Sequence, residues 1–157
     1  MSRAAFHAAA VLAAILLGAA ALQAQPASDG VATAGGLTAY LGVMPAEIVK
    51  GHPSSHPEGA MHGGAPNGAH EYHIIVAIFD AGSGARMSDA TVTAKVSGLG
   101  LSGPEKALEP MAIANTITYG GFFELSGADL YTIRMTVKRP GAQAPVVLEF
   151  RYDHRSR

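Results

Sequence analysis

Apolar and polar residues alternate in several short runs, and each run implies a strand. Leu37, Ala39, Leu41 and Val43 interleave with Thr38, Tyr40, Gly42 and Met44, a period of two that predicts one buried face. Pro45 should end that strand, and 46–50 reads as a turn or a last strand fragment. Tyr72 to Phe79 (YHIIVAIF) is almost continuously apolar and β-branched, the pattern of a central strand covered on both faces. Val92, Ala94 and Val96 alternate in the next run. Met111 to Tyr119 is a further strand candidate interrupted at Asn115. Gly120-Gly121 should break it before Phe122-Phe123.

The clearest pair follows. Tyr131, Ile133, Met135 and Val137 face one way, and Thr132, Arg134, Thr136 and Lys138 the other. After the turn 139–145, Val146, Leu148, Phe150 and Tyr152 alternate again, so the two runs should form an antiparallel hairpin with Arg134 or Lys138 near Glu149. These amount to six or seven strands and no helix. Half-buried sheets must cover their apolar faces, so the expected fold is all-β, an immunoglobulin-like antiparallel β-sandwich of about seven strands rather than an eight-stranded barrel.

The N-terminus changes the setting. Arg3, an uncharged run from Ala8 to Leu22 and small residues after it read as a secretory signal peptide over 1–24. The run is shorter than a membrane span requires, so the mature chain should be periplasmic or secreted and not embedded in a membrane. Residues 25–36 read as a flexible lead-in, and 37–153 as a single sandwich domain. With no cysteine among 157 residues, that domain has neither disulfides nor thiolate ligands. A net charge of -1 gives no basic footprint for nucleic acid.

The stretch 51–70, GHPSSHPEGAMHGGAPNGAH, breaks every periodicity. Its 20 residues hold five glycines, three prolines and four histidines, and a loop this long is functional or disordered. Imidazole is mostly unprotonated at neutral pH and ligates borderline metals, while thioether sulfur favours Cu(I). The candidate ligands are therefore His52, His56, Met61, His62, His70 and His73, with copper the favoured ion and zinc or nickel as alternatives. Met44, Glu58 and Glu71 flank them. Positions i and i+3 of a strand point to opposite faces, so His70 and His73 should not share an ion unless His70 sits in a turn. His73 shares the parity of Ile75 and Ala77; by itself it reads as a half-buried strand-end histidine. Met111 reads as core with a soft-ligand alternative, and His154 as a solvated residue in a charged tail. No hydrolase elbow, HExxH, P-loop or dinucleotide fingerprint occurs, so the chain is not expected to be an enzyme.

The phrase Asp80 to Val96 (DAGSGARMSDATVTAKV), followed by Tyr119-Gly-Gly ahead of the Tyr131 strand, resembles the YtkA-like family and is distantly similar to the CopC-like periplasmic copper binders. The resemblance spans about residues 72–152 and implies an exported sandwich linked with copper or oxidase assembly. CopC-like proteins use a histidine near the mature N-terminus. Here none precedes His52 in the mature chain, so no family ligand transfers. The expectation is a periplasmic transition-metal protein acting in storage, delivery or support of a membrane metal system, with a membrane transporter or oxidase assembly protein as partner. The alternative is a metal-free extracytoplasmic accessory or protein-interaction module.

Overall fold

The computed structural model describes residues 30–51 and 64–155, with Leu101 as backbone only. The signal-peptide segment, residues 25–29 of the lead-in, and His52, His56, Met61 and His62 lie outside the described residues. The chain runs β1 (Val31–Ala34), β2 (Leu37–Pro45), α1 (Ala46–Lys50), β3 (Glu71–Asp80), β4 (Thr91–Gly98), β5 (Leu101–Ser102), β6 (Lys106–Ile113), β7 (Thr116–Glu124), β8 (Leu130–Lys138) and β9 (Val146–Asp153).

All pairings are antiparallel, in the order β1-β2-β3-β7-β6-β4-β8-β9, with β5 beside β4. The two layers meet in β6. Its first residues pair with β4 (Leu108 opposite Val92), and its later ones with β7 (Met111 opposite Thr118). The strand turns the corner at Glu109-Pro110, where proline supplies no ladder donor. A strand that changes sheets at such a bend is how two twisted layers close over one core. At the opposite seam β1 lies beside β9, and Gly35 leaves no room for a Cβ against Val146.

The inward register matches the sequence pattern. Ile74, Val76 and Ile78 of β3 face Val92, Ala94, Ile133, Met135, Leu148 and Phe150 in one apolar core. Each such side chain contributes about 1.5–3 kcal/mol by leaving water. β8 and β9 form the expected hairpin, with Val137 opposite Val146 and Arg134 opposite Glu149. The Arg134–Glu149 pair spans 3.4 Å with both side chains more than half exposed. A double-mutant cycle on it, read by thermal melting, should give a coupling below about 1 kcal/mol.

Four features depart from the sequence reading. The described residues form nine strands, because β5 and β1 are added; β1 forms from part of the supposed lead-in, where Val31–Ala34 pair with Leu37–Tyr40. Residues 46–50 form a short helix after Pro45, which seats Ala46 and Val49 in a buried cluster. Asn115 does not interrupt a strand. Ala114 (φ 48°) and Asn115 (φ 60°) are the two central residues of a tight hairpin turn between β6 and β7, both in the left-handed region that such a turn demands. Gly120-Gly121 does not break a strand either. β7 runs unbroken through both, because side chains of neighbouring strands cross where their Cβ atoms would be.

Candidate metal centre

Strand parity divides β3 between two environments. Ile74, Val76 and Ile78 enter the main core. His73 points to the outer face of the sheet, yet it is fully buried. Its cover is local: α1 and Ala65 pack with Met111, Phe122, Met44, Ile75 and Ile113 into a second apolar cluster on that face. The antiparallel register puts Met44 of β2 directly opposite His73 on one side and Phe122 of β7 on the other. The Phe122 ring lies 4.9 Å from the imidazole, tilted by 30°.

Gly120 gives the arrangement its shape. It stands on the same face of β7 as Phe122, two residues before it. A Cβ there would lie 2.7 Å from His73 Nε2 and 2.6 Å from the Met111 methyl. An imidazole nitrogen from β3 and the methyl end of the Met111 side chain from β6 thus meet over one glycine, with a second methionine, Met44, on the adjacent strand. Nitrogen plus thioether sulfur in an apolar surround is a soft donor set, suited to Cu(I) over harder ions. The shell around such a site excludes water and so sets its redox behaviour.

The described residues on either side of the histidine-bearing segment meet at this face. α1 closes at Gly51, and the chain is described again from Gly64. Lys50 Nζ donates to Asn67 Oδ1 at 2.9 Å, which ties the two ends together. Next to Phe122 lies a cavity of about 510 Å³ whose lining includes Pro66, Glu71, Lys106 and Ala107. The Lys106 ammonium donates to the Phe122 carbonyl at 3.0 Å and stands over the Phe123 ring.

Of the sequence candidates among the described residues, His73 is buried beside two methionines, whereas His70 is exposed in the turn before β3 and does not join it. No group of three or more His, Cys, Asp or Glu side chains capable of holding a metal forms among the described residues. The convergence depends on thioethers instead. Gly120, read as a strand breaker, was the residue missed; Met111 is buried in the second cluster, in keeping with its reading as core with a soft-ligand alternative. The available signal was parity: Met44, His73 and Met111 each fall on the outward register of an adjacent or next-nearest strand.

A second cluster sits at the end of the same strand. His154 is not a solvated tail residue. Its Nδ1 lies 2.8 Å from the Gly127 carbonyl and its Nε2 2.8 Å from the Tyr72 hydroxyl. Tyr72, Tyr131 and Tyr152 surround the ring, with centroids 4.8, 6.0 and 5.8 Å away. Burial, seconded by Asp129 and Glu124, holds the Tyr131 phenol above its usual pKa.

Among the described residues no helix is long and apolar enough to cross a membrane. No protein-family model matches the chain, and no curated protein does. Solved structures do share its architecture. A copper-bound variant of FetP from uropathogenic Escherichia coli strain F11 superposes with a TM-score of 0.58 at 13% identity, covering 84% of this chain and 97% of that one. FetP from the same strain, as isolated after periplasmic expression, gives 0.56 at 15% identity, with 83% and 97% covered. A DUF4426 family protein from Pseudomonas aeruginosa PAO1 gives 0.53 at 17% identity, with 78% and 94% covered. At these identities the likeness is one of fold: the chain shares the antiparallel β-sandwich architecture of these proteins.

Proposed function

We propose that this protein is a periplasmic transition-metal-binding protein, with copper as its ion, acting in storage, delivery or support of a membrane metal system. The observation that carries this reading is the meeting of His73 Nε2 and the Met111 side chain over Gly120, with Met44 in register beside them. A copper-bound protein of the same fold supports it. Imidazole with thioether sulfur holds Cu(I) without thiolates, which this chain lacks. His52, His56 and His62, in the chain between Gly51 and Gly64, would add nitrogen ligands suited to Cu(II), and Met61 a further thioether. Ordering a glycine-rich stretch around an ion costs conformational entropy, so that part of the site would release its ion readily.

Equilibrium dialysis against Cu(I), Cu(II) and Zn(II) tests the reading. Uptake of about one Cu(I) per chain at micromolar concentration is the expected result; no uptake of any of the three ions overturns it. Deleting 52–63 separates the two ligand groups. That variant should keep Cu(I) and a cooperative melting transition, because Ala65 and Asn67 hold the base of the loop independently of it. It should lose affinity for Cu(II).

A further inference from the structure

We propose that Tyr72 is the residue at which this protein is oxidised by one electron, with His154 taking the phenolic proton, so that oxidising equivalents are drawn away from the methionines beside His73. The hydrogen bonds fix the direction of proton transfer. A carbonyl can only accept, so His154 Nδ1 carries the hydrogen toward Gly127, and in that tautomer Nε2 is the acceptor. The Tyr72 hydroxyl at 2.8 Å is therefore the donor to an imidazole base. Other phenols differ. Tyr131 donates to the Ser126 carbonyl at 2.6 Å and Tyr119 to the Met87 carbonyl at 3.3 Å. A main-chain carbonyl is too weak a base to keep a proton, so losing an electron there creates a protonated phenol radical of high energy. At Tyr72 the proton has a short path to a base that holds it.

The balance is simple. A hydroxyl radical, the oxidant, takes one electron from the Tyr72 ring and becomes hydroxide. The phenolic proton crosses to His154 Nε2. Hydroxide then recovers that proton, so the net change is HO• + Tyr72–OH → H2O + Tyr72–O•. Tyr131 and Tyr152 pack on the other sides of the same imidazole, which offers the radical neighbouring rings toward β8 and β9. Tyr72 directly precedes His73 in the chain and pairs with Pro45, so it adjoins the methionine cluster through the backbone while its side chain packs on the main-core face. Thioethers convert to sulfoxides under the same oxidants and lose their softness, so a phenol oxidised in their place preserves the donor set. The pair's chemistry stands on its own geometry, and its protective use rests on the metal reading above.

The test begins on the metal-free protein. Photogenerated tris(bipyridine)ruthenium(III) serves as the one-electron oxidant, and freeze-quenched electron paramagnetic resonance reads the tyrosyl radical. Tyr72→Phe should remove most of the signal. His154→Gln, which keeps an acceptor but not a base, should remove most of it although Tyr72 remains. Tyr40→Phe should leave it intact. A signal unchanged by Tyr72→Phe, or carried by the exposed Tyr40, overturns the proposal; so does full yield in a His154→Gln variant that melts cooperatively. A second arm treats the Cu(I)-loaded protein with hydrogen peroxide and measures sulfoxide at Met44 and Met111 by mass spectrometry. More sulfoxide in Tyr72→Phe than in the parent is expected, and equal sulfoxide contradicts the protective use. Absence of copper uptake would count against the metal reading alone, since the first arm contains no metal.

Discussion

Replacing Gly120 by alanine is expected to abolish high-affinity Cu(I) uptake while leaving a folded protein. Gly120 has ordinary extended backbone and no positive φ, so alanine meets no conformational strain there. The obstacle is space. A Cβ would stand 2.6 Å from the Met111 methyl and 2.7 Å from His73 Nε2, and both tips must retreat. Met111 can swing at modest cost because its side chain is long and unbranched. The His73 ring is held against Phe122 and has less freedom. Overfilling a packed site of this kind costs about 1–3 kcal/mol, well within what a sandwich with this core can bear. The two donors would be pushed apart, and a site missing its geometry loses affinity out of proportion to stability. Chemical denaturation alongside a Cu(I) competition titration checks both halves. Full affinity in Gly120→Ala would show that the space over this glycine is not where the ion sits.

The second large effect is expected at the donors themselves. Met111→Leu conserves volume in the cluster of Ala46, Val49 and Phe122, so stability should change by less than about 1.5 kcal/mol. Its Cu(I) affinity should nevertheless fall by more than the roughly 10–100-fold typical of removing an outer-shell partner, because a direct ligand is lost. His73→Leu should likewise lower Cu(I) affinity. The contrast with Met135→Leu is informative. Met135 is equally buried but lies in the main core, away from His73, so its replacement should leave copper binding untouched. A competition titration across the three variants separates loss of a ligand from a general loosening of the sandwich.

Much of this fold was legible because strand parity is a strong signal. Val92, Ala94 and Val96 of β4, and Ile133, Met135 and Val137 of β8, occupy the buried positions their alternation predicts. The hairpin register of β8 and β9 follows from the same pattern, down to Arg134 opposite Glu149. What stayed hidden involves residues whose role is set by neighbours distant in the chain. Gly120 and Gly121 read as breakers because glycine lacks strand propensity. They are strand residues because His73, Met111 and Leu108 need the volume, which no local pattern reveals. Asn115 reads as an interruption within one strand rather than as half of a turn, because its partner in that turn is Ala114, and alanine is a rare occupant of the left-handed region.

The site was partly visible for the same reason. The outward parity of His73 was readable, but its burial depends on α1 and Ala65, which cover that face after a proline and after a long loop. Met44 was noticed for its register and Met111 for its chemistry. Their joint position requires the order β2-β3-β7-β6, which a single chain does not display. His154 was placed in a solvated tail because charged residues surround it. The three tyrosines that receive it come from β3, β8 and β9.

Copper-edge X-ray absorption on the Cu(I)-loaded protein examines the proposed donor set most directly. A sulfur shell alongside imidazole nitrogen is the expected spectrum, with the sulfur scattering reduced in Met111→Leu. A spectrum of nitrogen and oxygen alone, identical in the parent and in that variant, would mean that the thioethers beside His73 hold no ion.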